Sequence, residues 1–98
     1  MKINKKLEET KLTIYLEGRL DTTTSPMLEA ELKNSISELT ELIFDFEKVE
    51  YISSSGLRIL LSAQKVMNKQ GTMKVRHVND VVMEVFEITG FVDILAIV

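Results

Sequence analysis

The sequence predicts an α/β fold, a mixed β-sheet with helices packed against it in the order ββαβαβαβ. Three observations carry this. Segments that alternate apolar and polar residues, or run apolar for several residues, are interleaved with segments whose apolar residues recur every three or four positions. The single proline and the four glycines sit at or near the boundaries between segments. A chain that alternates strand and helix in this way favours a largely parallel sheet with connecting helices laid on it.

The elements follow in order. Leu12, Ile14 and Leu16 alternate with Lys11, Thr13 and Tyr15, the mark of a half-buried strand, and Ile3 to Leu7 can pair with it across Glu8 to Thr10 as a hairpin. After Gly18 comes the polar loop Asp21-Thr22-Thr23-Thr24. It leads to Ser25-Pro26, where serine can cap a helix and proline suits a first turn whose N–H needs no partner. Leu28, Leu32, Ile36 and Leu39 then form a helical stripe. Leu42-Ile43-Phe44-Asp45-Phe46 is short, apolar and rich in strand formers, as expected of a central strand covered on both faces.

A second helix is expected from Ser55 to Asn68, stopped by Gly71. Gly56, Ile59, Leu60, Ala63, Val66 and Met67 form one broad stripe on it. Leu57 and Leu61 point elsewhere, so more than one side must be covered, by a neighbouring helix or, as the alternative, by a partner protein. Met73 to His77 reads as a strand, and Asn79 caps a third helix that carries Val82, Val85 and Phe86 and ends at Gly90. Leu95 to Val98 is expected as an edge strand or a docked tail.

Composition narrows the function. Ninety-eight residues suit one domain, taken as residues 1–98, and the apolar content of 45% argues against disorder. The longest apolar run, Ile94 to Val98, is far below the ~18 residues that suggest a membrane span, and the N-terminal lysines are not followed by a continuous apolar stretch. A cytoplasmic location without membrane insertion is expected. A net charge of −3 has the wrong sign for a nucleic-acid binder, which must offset phosphate charge. The acidity gathers between Glu29 and Glu50, where Lys33 and Lys48 are the only basic residues. Without cysteine there is no disulfide, thiolate nucleophile or cysteine-ligated metal.

Catalytic chemistry finds little footing. A serine hydrolase elbow, G-x-S-x-G, would need glycine where Ile52 stands, and the one histidine, His77, ends a predicted strand; only a distant Ser54/His77/Asp45 arrangement would serve. Asp45, Glu47 and Glu50 offer carboxylates without a histidine or a metal-loop spacing, so no metal is expected. The run Ser53-Ser54-Ser55-Gly56-Leu57-Arg58 lacks the pattern of a phosphate-binding loop, and no cofactor is implied. By residue chemistry alone, the three serines cap the helix that follows them.

Val49-Glu50-Tyr51-Ile52-Ser53-Ser54-Ser55-Gly56-Leu57-Arg58-Ile59-Leu60-Leu61, preceded by Phe44-Asp45-Phe46, resembles the signature of STAS proteins that antagonise anti-sigma factors. Gly18-Arg19-Leu20-Asp21 and Val85-Phe86-Glu87-Ile88-Thr89-Gly90-Phe91 extend the likeness over most of the chain. It implies a STAS-like sheet and a partner-switching role. The unphosphorylated protein would bind an anti-sigma factor that is also a serine kinase, phosphorylation would release it, and a PP2C-type phosphatase would reset it, with no catalysis by the chain itself. The phosphorylated serine of the family lies two residues before the motif glycine, which maps to Ser54. Many members carry aspartate where this chain has Ser53, and Ser53 and Ser55 stand as alternative acceptors. Asp21, Ser53, Ser55, Gly56, Leu57 and Leu61 are the expected partner-binding residues. A STAS scaffold subunit of a larger lipid-transport or stress-signalling complex, without obligatory phosphorylation, is the alternative. The oligomeric state is left open.

Overall fold

In the computed structural model, which describes residues 1–98, the chain forms β1 (Lys2–Glu8), β2 (Lys11–Leu20), α1 (Ser25–Ser35), β3 (Glu41–Ile52), α2 (Ser54–Gln70), β4 (Thr72–Arg76), α3 (Asp80–Thr89), a 3-10 turn (Phe91–Asp93) and β5 (Ala96–Ile97). The five strands lie in the order β1-β2-β3-β4-β5. Only the β1–β2 hairpin is antiparallel; β2, β3, β4 and β5 run parallel. The mixed sheet and the element order expected from the sequence are both present.

One face of the sheet carries the core. Leu12, Ile14 and Leu16 of β2 and Leu42, Phe44 and Phe46 of β3 point to it, where they meet Leu28 and Leu32 of α1, Leu60, Ala63 and Met67 of α2, and Val82 and Phe86 of α3. Phe46 and Phe86 bring their ring centroids to 6.2 Å. No helix in the structure is long and apolar enough to cross a membrane.

The other face departs from expectation. β3 was predicted to be covered on both sides, yet Ile43 and Asp45 point away from the helices and lie outside the core cluster. Cross-strand pairing sets Asn4, Tyr15, Asp45 and Arg76 in one row across this open face. Asp45 is nonetheless only 5% exposed, because neighbouring side chains on the sheet cover it.

Two local expectations also change. Ser25 is not the cap of α1: Thr24 takes that position, and Ser25 becomes the first helical residue with its hydroxyl buried and unpartnered. The Leu28–Leu39 stripe is only half helical. α1 ends at Ser35, and Gln70 donates through Nε2 to the carbonyls of Ile36 and Leu39, which ties the turn to the end of α2. The remaining punctuation falls as expected. Asn79 Oδ1 accepts from Val82 N at 2.8 Å to cap α3, and Gly90 closes that helix at φ +80°, a left-handed backbone that suits glycine.

Candidate functional site

The serine run lies where β3 gives way to α2. Ser53 is still extended, at φ −103° and ψ 178°, and its N–H donates to the carbonyl of Leu20 at 2.9 Å, which fastens it to the end of β2. Helical bonding starts when Leu57 N donates to Ser53 O at 3.0 Å. The expected capping by serine hydroxyls does not occur. Ser53 Oγ is buried without a partner, no side chain caps α2, and Ser54 stands exposed as its first residue. Ser55 lies 3.1 Å from Thr22 through their hydroxyls, a contact that joins α2 to the β2–α1 loop. The positive end of α2 is thus left open toward solvent.

The neighbouring loop is internally braced. Asp21 Oδ1 accepts from the N–H groups of Thr23 at 3.0 Å and Thr24 at 3.2 Å. The Thr24 N–H is the chief reason that the Asp21 carboxyl is held below its ordinary range; burial works against this, and the Thr23 N–H, the Thr24 hydroxyl and Arg19 assist. Arg19 lies 3.6 Å from Asp21 and stacks its guanidinium 4.6 Å from the centre of the Tyr51 ring.

Two residues expected on the docking surface are buried instead. A Cβ on Gly56 would fall 2.7 Å from Leu20 Cγ and 2.8 Å from Ile52 Cγ1, so this glycine permits close seating of α2 on the strand ends. Leu57 is 7% exposed and belongs to the core. The helix turns it inward because α2 rests on the sheet at its first turn, where the sequence pattern assigned it to a second face. Leu61 is partly exposed, as are Asp21, Ser53 and Ser55. Arg58 and Thr22, which the sequence reading did not single out for the site, flank the serines; the i,i+4 spacing of Ser54 and Arg58 was the available signal.

On the open face the chain brings together residues that spacing could not. Asp45 accepts from Arg76 Nε at 3.0 Å and from Glu47 N at 3.0 Å, and His77 Nδ1 lies 3.1 Å from it. Burial opposes the charged carboxylate, but the hydrogen bonds from Glu47, His77 and Arg76 outweigh it and hold Asp45 below its ordinary range. Ligand atoms of Asp45, Glu47 and His77 fall within 4.8 Å of one another, a grouping with the histidine that Asp45, Glu47 and Glu50 lacked. The Asp45 carboxylate is already neutralised by the Arg76 guanidinium. Of the Ser54/His77/Asp45 arrangement, only the last two meet. Ser54 lies past the end of β3, and the eight residues from Asp45 to Ile52 span roughly 23 Å of strand.

Fold and site together define a small α/β domain with an exposed, hydroxyl-rich rim at the start of one helix. The STAS domain family model matches residues 2–98, and the chain belongs to that family. It is 34% identical over 88 residues to BtrV of Bordetella bronchiseptica, provisionally described as an anti-sigma factor antagonist, a match covering 88% of this chain and 76% of the relative. It is 26% identical over 96 residues to the anti-sigma-B factor antagonist of Bacillus subtilis, covering 97% and 88%. Among solved structures, the anti-sigma factor antagonist SpoIIAA in its unphosphorylated form shares the fold with a TM-score of 0.85 and 20% identity, covering 99% of this chain and 88% of that one.

Proposed function

We propose that this chain is an anti-sigma-factor antagonist in a partner-switching cascade, with Ser54 as its phosphorylated residue. Unphosphorylated, it binds an anti-sigma factor that is also a serine kinase. Transfer of the γ-phosphoryl group of ATP to Ser54 Oγ releases it, and hydrolysis by a PP2C-type phosphatase restores it. The chain is substrate and ligand rather than catalyst, and the cycle belongs in the cytoplasm, where ATP and sigma factors are found.

The observation that carries this reading is the exposure of Ser54 as the first residue of an uncapped α2. Membership of the family and the names of its relatives support it. A phosphoserine brings roughly −1.5 to −2 charges, which a helix N-terminus accommodates without refolding. The same charge set inside a docked surface brings repulsion and desolvation, and about 2.7 kcal/mol of such cost is a hundredfold in affinity. The docking rim comprises Asp21, Ser53, Ser54, Ser55 and Leu61, while Gly56 and Leu57 act from beneath by seating the helix.

Incubation with the cognate kinase and ATP, followed by mass spectrometry, tests the assignment. One phosphate on Ser54 and a hundredfold weaker complex for the phosphoprotein are expected. Absence of phosphate from Ser54, together with unchanged affinity in Ser54→Glu, would sink it. A complex that tolerates both Ser54→Ala and Ser54→Glu would point to a scaffold subunit instead.

A further inference from the structure

Building on Ser54 as the phosphoacceptor, we propose that Arg58 is the intramolecular partner of its phosphate, so that modification withdraws a cation from the docking rim as well as adding a dianion. Ser54 and Arg58 lie four residues apart on α2, a spacing that puts their Cβ atoms about 5–6 Å from each other on one face. Helical side chains lean toward the N-terminus, so the Arg58 guanidinium extends over the turn that Ser54 begins.

Arg58 is also the uncommitted arginine. Of the three in the chain, Arg19 is held by Asp21 and Tyr51, and Arg76 by Asp45, whereas exposed Arg58 has no carboxylate within 4.0 Å. Thr22, Ser25, Glu29, Ser55, Arg58 and Ile59 line a depression between the starts of α1 and α2. Ser25 is 4% exposed there, with its Oγ lacking any hydrogen-bond partner. A phosphate on Ser54, at the rim beside this depression, therefore meets a free guanidinium and the uncapped N–H groups of α2.

The charges on neighbouring elements are mixed. Glu29 on α1 and Asp21 in the β2–α1 loop oppose an added anion, and Arg19 favours it but is already engaged. Arg58 is the group that turns the balance toward the dianion. In the unphosphorylated protein the same side chain is free to meet an acidic group of the partner.

The test installs phosphoserine at position 54 of the full chain during translation and follows its second ionisation by phosphorus NMR. A free phosphoserine titrates near about 6. The expected midpoint lies below that, rises by about half a unit in Arg58→Gln, and is partly restored in Arg58→Lys, which keeps charge but loses the fork. Equal midpoints in the parent and both variants would overturn the proposal. A kinase that ignores Ser54 while the installed phosphate still responds to Arg58 would overturn the acceptor assignment and leave the pairing intact.

Discussion

Gly56→Ala isolates the close approach on which the serine rim rests. The added methyl would sit 2.7 Å from Leu20 Cγ, 2.8 Å from Ile52 Cγ1 and 3.0 Å from Leu20 Cδ2. Leu20 is 0% and Ile52 1% exposed, so neither has room to retreat. Overpacking of this kind costs about 1–3 kcal/mol, while replacing a helical glycine by alanine returns at most about 1 kcal/mol, and less near a helix start. The net loss is about 1–2 kcal/mol, which for a domain of this size lowers the melting temperature by roughly 5–15 °C. Urea unfolding followed by circular dichroism measures it, with exposed Ser62→Ala as the control that gains helix propensity without the clash. Gly56→Ala as stable as the parent, or more stable, would show that α2 is not pinned against β2 and β3 as described.

Two further substitutions probe the parts that hold this frame. Asp45→Asn should cost about 1–2 kcal/mol, discounted for the partial exposure of Arg76 and His77, with the loss greatest above about pH 4. Because the folded carboxyl titrates below the unfolded value of about 3.9, its contribution is complete above that value and disappears as pH falls through the folded one, so denaturant midpoints at pH 7, 5 and 3 should converge at the acid end; a gap independent of pH would contradict this. Asn79→Ala should cost about 2 kcal/mol, since the side chain caps α3 through Val82 N and donates to Val49 O at 2.7 Å. Asn79→Asp keeps the cap without the donor and should recover only part of that loss in chemical denaturation.

Periodicity made most of the fold legible. The alternation of Leu12, Ile14 and Leu16 located β2, and Asn79 with Gly90 bracketed α3 because a polar cap and a left-handed terminus are local requirements. What escaped was set by distant residues. The apolar run around Phe44 looked doubly covered because Asp45 gave no sign of Arg76 and His77, which are 31 and 32 residues away. Leu57 looked like surface because helical spacing gives a face but not the angle at which a first turn meets a sheet. At Ser25 the local cap rule lost to Thr24, whose hydroxyl bonds the Arg19 carbonyl at 2.6 Å and accepts from Asp21 N at 2.9 Å. The serine run itself stood out only through family resemblance, since hydroxyls before a helix have an ordinary capping use.

The burial of Leu57 removes a contact from the proposed docking surface and at the same time explains how a modification there would act. Ser54 is exposed, yet Ile52 before it and Gly56, Leu57 and Leu60 after it are all buried, and the Ser53 N–H is bonded to Leu20. A charge on Ser54 therefore cannot be relieved by swinging the segment away without exposing Leu57 and Leu60, at about 1.5–3 kcal/mol for each side chain returned to water. Turning the phosphate to a cation on the same helix face avoids that cost, and Arg58 is the cation within reach. The backbone stays in place, and the consequence falls on whatever is docked against the rim. If Ser54 is phosphorylated as proposed, the rigid seat beneath it would make repulsion of a partner, rather than unfolding of the domain, the cheaper response.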